Sequence, residues 1–418
     1  MEFHPSRDSL LAEVHARPST PIEAPMLVTR IAALSGQEGV AADRRHIADL
    51  CTRMGKTRPA DDSVWCAIDG GDWQLRWERH GEFSSWTFFA KPSWTAGESA
   101  IDRVPKAWLD SLPGPVLVLT TLIIDRMDEA QSLDPARSEA IGSRVMGGAA
   151  TVLTDLRADA DGMTRFLLTM HRDDPVLTGR IALILLEIES YRLMALLAFP
   201  VAQQTAAKLF DIEAEARELT EKIATHMGVD DDRDLLAKLV ALSGRMEAMG
   251  ASTSFRFGAA RAYFDIVQTR IGWLGEEPLP GRQTMREFMD RRLVPAIRTC
   301  VSVADREAGM IARIARAGQM LSTRVELVTQ KINADLLRSM NRRASMQLRL
   351  QRTVEGLSVA AVSYYVVSLL LIPVKALGEH GVRGLRTDLI TFALVPLVVL
   401  GVWLGLRRAG RHIGDDEH

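Results

Sequence analysis

Cysteine is scarce in this chain. Its 418 residues hold three, Cys51, Cys66 and Cys300, far apart and without a CxxC pair. That excludes a disulfide framework and argues against a thiolate metal site. It fits a reducing compartment, with each thiol read as a small buried hydrophobe. An excess of one charge is missing too. The 51 basic and 53 acidic residues leave a net charge of −2, which gives no electrostatic reason to expect a nucleic-acid partner. The first thirty residues contain no apolar run after a basic start, so a cleaved secretory signal is not expected. Enzyme signatures are lacking as well: there is no GxxxxGK[ST], no GxSxG, no HExxH and no GxGxxG after a strand. "MGG" (146–148) is too short to cradle a phosphate. The acidic run Asp230 to Asp232 reads as the start of a helix, where acids complement the dipole. No enzymatic activity is expected.

Two long apolar runs are present instead. Leu357 to Val374 and Leu389 to Leu406 are 18 residues each without a charge. At about 1.5 Å rise per residue each covers roughly 27 Å, close to the ~30 Å hydrocarbon core of a bilayer. They read as a C-terminal transmembrane hairpin, with spans at 354–377 and 389–406, a short external loop at 378–388 and a tail at 407–418. A third apolar stretch, Ile181 to Val201, carries Glu187, Glu189 and Arg192 mid-span. Each such charge costs about 2.5 to 3.5 kcal/mol at a bilayer centre, so that stretch reads as a soluble core helix with an internal Glu–Arg pair. Arg338, Arg342, Arg343, Arg349 and Arg352 precede the first span, and Arg407, Arg408 and Arg411 follow the second. Lys375, Arg383 and Arg386 lie at or in the connecting loop. This modest bias, with the missing signal and the large hydrophilic head, places both termini in the cytoplasm.

Before the spans the chain reads in two styles. Residues 1–174 form a cytoplasmic α/β domain of about seven strands in a mixed sheet: 26–34, 63–68, 73–80, 84–90, 116–124, 149–157 and 164–170 are short, β-rich and bounded by turns. Helices are expected at 39–55, 99–111 and 135–146. Residues 175–301 read as a helical domain, with helices at 176–199, 202–227, 232–249, 252–273 and 283–300. A long stalk helix follows at 302–353. In it Ile311, Ile314, Gly318, Leu321, Val325, Val328 and Ile332 keep a 3,4 spacing, a narrow coiled-coil seam that packs on earlier helices or on copies of itself. "GEEPLPG" (275–281) is the clearest break in the helical part.

"HPSRDSLLAEVHARP", "RFLLTMH…LTGRIALILLEIESYRLMALLAFP" and "NRRASMQLRLQRTVEGLSVAAVSYYVV" resemble an uncharacterised bacterial family of membrane-anchored proteins, over essentially the whole chain. The architecture is also similar to the CorA-type magnesium transporter superfamily. There, five subunits place the first span of each hairpin around a central pore. That resemblance implies a homo-oligomer, possibly pentameric, and a divalent cation as transported or regulatory ion, with no other cofactor. The short loop of that superfamily carries Gly-Met-Asn, whereas here it reads "GEHGVRGLRTD".

On a helix at about 100° per residue, Gln347, Gln351, Ser358 and Tyr365 fall within about 40° of one another, with Ser368 about 60° further round. Such an uncharged polar stripe suits the waters of a hydrated cation in a pore, or hydrogen bonds between packed helices. The five arginines before the first span suit a topology signal, a contact with anionic lipid head groups or a ring at a pore mouth. Glu379 and His380 are the loop's candidates to meet an ion outside, or a solvated turn. Glu13, His15 and Arg17 alternate before Pro18. One His and one carboxylate underfill a zinc site, and an ion-pairing role that pins the N-terminus competes with a proton relay. Two functions follow. The first is an oligomeric cation channel regulated by its cytoplasmic head, in contact with the bilayer and with copies of itself. The alternative is a membrane-anchored binding or scaffold protein without transport.

Overall fold

The computed structural model describes residues 3–4, 7, 20–36, 38–95, 97–126, 141–225, 229–379 and 387–412, with backbone alone for 229–230, 374–379, 387–391 and 406–412. Among these residues nine strands form one mixed sheet: β1 (Met26–Ala33), β2 (Trp65–Asp69), β3 (Trp73–Arg79), β4 (Ser84–Ala90), β5 (Val116–Asp125), β6 (Ile141–Val145), β7 (Ala150–Ala158), β8 (Thr164–Met170) and β9 (Glu277–Pro278). Their order is β2-β3-β4-β1-β5-β8-β7-β6-β9. Only the β5–β8 pair is parallel among the described residues. The β2–β3 hairpin turns at Gly71, whose φ of 89° a side chain would resist, and its N–H donates to Asp69 Oδ1 at 2.9 Å.

The helices are α1 (Val40–Arg53), α2 (Lys106–Leu109), α3 (Pro175–Leu196), α4 (Ala198–Thr225), α5 (Val229–Leu274), α6 (Met285–Glu379) and α7 (Thr387–His412), with a 3-10 turn at Ala100–Arg103. The chain divides into two compact units. One comprises Met1–Met227 and Asp234–Gln319, the other Gly228–Arg233 and Met320–His418.

In the first unit the sheet is covered on both faces, so its central strands bury nearly every residue. Period-2 alternation sends Leu27 and Ile31 to one face and Val28 to the other. On the first face α1 and α2 close over Trp77, Trp86 and Phe88. His46 of α1 stacks on Trp108 of α2 at 4.1 Å. Its Nε2 lies 3.0 Å from the Trp108 carbonyl, and the Trp108 indole N–H donates to the His46 carbonyl, also at 3.0 Å. On the second face α3, the end of α5 and the first turns of α6 bury Ile181, Leu185, Ile271, Met285 and Met289. Cys51 and Cys300 are buried as expected, whereas Cys66 is partly exposed.

Local chemistry sets the helix starts. The Asp174 carboxylate caps α3 by accepting the Val176 and Leu177 N–H groups at 3.1 and 3.0 Å, with Pro175 in the first turn. The N-terminal segment crosses α3 at Gly179, where an added Cβ would stand 2.0 Å from the Thr20 carbonyl oxygen. At α6, Thr284 and Glu287 form a capping box, with bonds of 2.9 and 3.1 Å. The Glu276 carboxylate adds bonds from the Met285 and Arg286 N–H groups, both 2.9 Å, and accepts from the Ser143 hydroxyl of β6.

Four expectations are corrected. The sheet has nine strands, not about seven. β6 occupies part of the expected helix 135–146, because its five residues pair along β7. β9 is two residues inside the 275–281 break. The expected helices 232–249 and 252–273 are one helix, α5: Gly250 lies inside it, and a single interior glycine costs a helix only about 1 kcal/mol. Likewise 283–300 and the stalk are one 95-residue helix, α6. The helix runs on through residue 302 because Cys300, Val303 and Met310 continue its buried side.

Buried or half-buried positions follow the 3,4 seam of α6 from Ile311 to Val328. In the second unit Arg324 grips Asp232 of α5 with two nitrogens, Nε at 2.7 Å from Oδ2. From Lys331 to Ser358 every residue is exposed.

Candidate functional site

Helix α6 carries all five residues of the expected polar stripe without a break. Gln347, Gln351, Ser358 and Tyr365 are exposed and Ser368 is half-buried. The Gln351 amide lies 3.4 Å from Glu355 Oε1. The Ser368 hydroxyl donates to the Tyr364 carbonyl at 2.7 Å, and the Tyr364 and Tyr365 rings meet edge-on at 5.9 Å. At about 100° per residue, Leu336, Met340 and Val354 lie within roughly 60° of these side chains. The stripe therefore continues an exposed apolar seam.

The opposite side of α6 is the covered one. Ser363 is 4% exposed, and Val359, Val366 and Val367 are half-buried. By the same rotation Ser363 stands roughly 140 to 160° from Gln347, Ser358 and Tyr365. Its hydroxyl has no hydrogen-bond partner among the described residues. On α7, Leu394, Val398 and Val402 form a matching half-buried row at four-residue spacing.

The arginines divide in the same way. Arg338, Arg342, Arg349 and Arg352 fall within about 80° of one another, on the side of Ser363, and Arg343 alone falls on the seam side. All five are exposed, and Arg338 pairs with Asp335 at 2.9 Å. The basic cluster is a face of the helix, not a belt around it. Glu379 closes α6, but its side chain, His380, and Glu13, His15 and Arg17 lie outside the described residues.

Sequence reasoning missed a second feature. In the first unit a cavity of about 260 Å³ opens between the sheet, α3 and the end of α5. On its sheet wall Arg30 of β1 is 4% exposed and donates from Nε to the Thr87 hydroxyl at 2.9 Å. Glu78 of β3 lies 3.8 Å from Arg30 and 2.6 Å from Arg76. On the helix wall Glu187 of α3 accepts from Arg270 of α5 at 2.5 Å, and the Arg270 guanidinium lies 4.1 Å over the Trp273 ring. Phe83, Ile184 and Tyr191 supply apolar lining, and His80 stacks on Phe83 at 4.2 Å. Behind Tyr191, at 5.5 Å, stacks Tyr263. Burial, and then the negative charge of Glu82, push the Tyr263 phenol well above its ordinary range. Glu187 and Glu189 inside an apolar helix were the one local sign of this region. The second forms the expected internal pair, accepting from Arg192 at 2.7 and 2.8 Å while fully buried.

Among the described residues no group of three or more His, Cys, Asp or Glu side chains is placed to hold a metal ion. No curated protein matches the sequence. One family profile does, over residues 2–413: the chain belongs to the family described as "Protein of unknown function (DUF3422)".

Proposed function

We propose that this is a bacterial inner-membrane protein of CorA-like architecture. α6 and α7 cross the bilayer as a hairpin, both termini are cytoplasmic, and copies assemble around a cation path controlled by the head. One observation carries the reading. The polar stripe of α6 lies on the side away from the covered face at Ser363. If α7 packs on that covered face, a single hairpin turns Ser358 and Tyr365 outward, where lipid offers no hydrogen bonds. Self-assembly around an axis removes that cost.

Three further facts support it. α6 holds an apolar window of mean hydropathy 1.8 that is 6% buried. Leu357, Leu369, Ile372, Phe392 and Leu397 are all more than 60% exposed, and continuous apolar surface of that kind needs lipid or protein over it. The four arginines on the Ser363 side turn outward in such an assembly, where each gains about 1 kcal/mol near anionic head groups.

A second reading has one fact in its favour: Val354 and Ala361 share the side of the stripe, so that side is as apolar as it is polar. It makes the hairpin an anchor and the head a binding or scaffold module. The mass of the full-length protein in nanodiscs, followed by ion flux in liposomes, separates the two. Transport requires a closed ring, a pentamer on the CorA pattern, and flux that changes in Gln351→Leu and Ser358→Ala. A ring without flux leaves the anchor. A monomer or dimer overturns the axis altogether.

A further inference from the structure

We propose that the cavity between the sheet, α3 and the end of α5 binds a small organic anion, with a carboxylate or phosphate head and an apolar body. The reading is independent of any transport activity.

Charge decides the class of ligand. Arg30, Arg180 and Arg270 line the cavity against two carboxylates, Glu78 and Glu187. Both carboxylates are already compensated. Glu78 lies 2.6 Å from Arg76 and 3.8 Å from Arg30, and Glu187 is 2.5 Å from Arg270. Three guanidinium groups thus face two carboxylates, one of them also held by Arg76 from outside the lining, so the unoccupied volume sits in a field of positive sign. Partial enclosure strengthens that field, because water screens it less. An organic cation would have to compete with arginines for carboxylates they already hold.

The groups differ in mobility, as a binding site requires. Arg30 and Glu78 are fixed, with side chains each 5% exposed. Arg180, in the second turn of α3, is exposed and has no ion-pair partner among the described residues. It can swing onto an oxyanion without giving up another bond. A guanidinium fork matches a carboxylate or phosphate with two parallel hydrogen bonds. Beside His80 and Ser190, the remaining wall is apolar: Leu183, Ile184, Phe83 and Tyr191 suit a hydrocarbon or aromatic body and not a bare inorganic ion. At about 260 Å³ the space is of small-metabolite size.

The test uses the full-length protein in detergent and four probes of one shape: benzoate, phenyl phosphate, neutral benzyl alcohol and cationic benzylamine. Calorimetric titration should show one saturable site for at least one of the two anions, with benzyl alcohol at least about tenfold weaker. Arg180→Gln should weaken the anion about tenfold while leaving the ligand-free melting temperature unchanged. Leu183→Trp, which fills the volume, should abolish binding. The Trp273 ring lines the cavity and is 50% exposed, so its emission should respond to the anion, and that response should vanish in Trp273→Phe. Benzylamine binding as well as the anions, anion affinity unmoved by Arg180→Gln, or no anion binding tighter than about 10 mM would each overturn the assignment.

Discussion

Arg256 of α5 holds Glu82 with both arms of its guanidinium: Nη1 donates to Oε1 at 3.0 Å and Nη2 to Oε2 at 2.6 Å. The two residues are 174 positions apart, and the pair ties α5 to the turn between β3 and β4. The Glu82 side chain is 8% exposed and that of Arg256 22%, so each leaves the other poorly solvated when removed. Arg256→Met should destabilise the protein by on the order of 3 kcal/mol, and the double variant with Glu82→Gln should recover part of that. Denaturant unfolding of the four proteins in the cycle checks it. Additive losses would mean that the pair is not coupled.

His46 should make the fold acid-sensitive. Burial lowers its pKa below the ordinary 6.5, against the opposing bond to the Trp108 carbonyl. The unfolded chain then takes up the proton at a higher pH than the folded one. The contribution to stability is present above pH 6.5 and is lost as pH falls through the folded value. The melting temperature should drop from about pH 7.5 to about pH 5.5, and His46→Asn should flatten that slope. An unchanged slope in the variant would assign the acid sensitivity elsewhere.

Glu307 should act with the opposite sign. It is 5% exposed, and its carboxylate oxygens lie 3.0 and 3.2 Å from the Thr253 hydroxyl. Burial raises its pKa above the ordinary 4.5 and outweighs the Thr253 bond. Its contribution is therefore full below pH 4.5 and lost as pH rises through the folded value. Glu307→Gln keeps a polar partner for Thr253 without the charge. It should raise the melting temperature more at about pH 8 than at about pH 5. Equal effects at both would show that the carboxyl is not the source.

The two sides of α6 should answer differently to charge. Leu336 lies on the seam side and is 58% exposed in the single chain. An aspartate there buries an unpaired charge in any assembly that uses the seam, so Leu336→Asp should drive the particle mass in nanodiscs towards a single chain. Arg349→Gln, on the other side, should leave the mass unchanged. Equal behaviour of the two variants would remove the seam as an interface.

Much of this molecule is legible in the sequence where the signal is local. The seven expected strands coincide with β1 to β5, β7 and β8 to within two residues at either end, because alternation and turn residues lie within a few positions of each other. The stripe on α6 was found for the same reason: helical rotation relates neighbours in sequence. Failures came where distant partners decide. β6 is short and is fixed by β7, and α5 runs on through 250–251 with Met246 and Thr253 buried on either side. The cavity was invisible because Arg30, Glu78, Glu187 and Arg270 come from remote segments. Glu187 and Arg270 alone are 83 positions apart.

The tiny strand β9 has an effect beyond the helix start that follows it. Without it β6 would end one side of the sheet, and an uncovered edge invites a strand from another molecule. Here Glu277 and Pro278 pair with Arg144 and Ser143, and Gln283 bridges to Ile141. Proline has no N–H to offer outward, and two residues are too few to template a ladder. The break between two long helices thus serves as a stop on edge-to-edge aggregation, and lengthening it or replacing Pro278 would expose the protein to fibre-like association that its sheet otherwise resists.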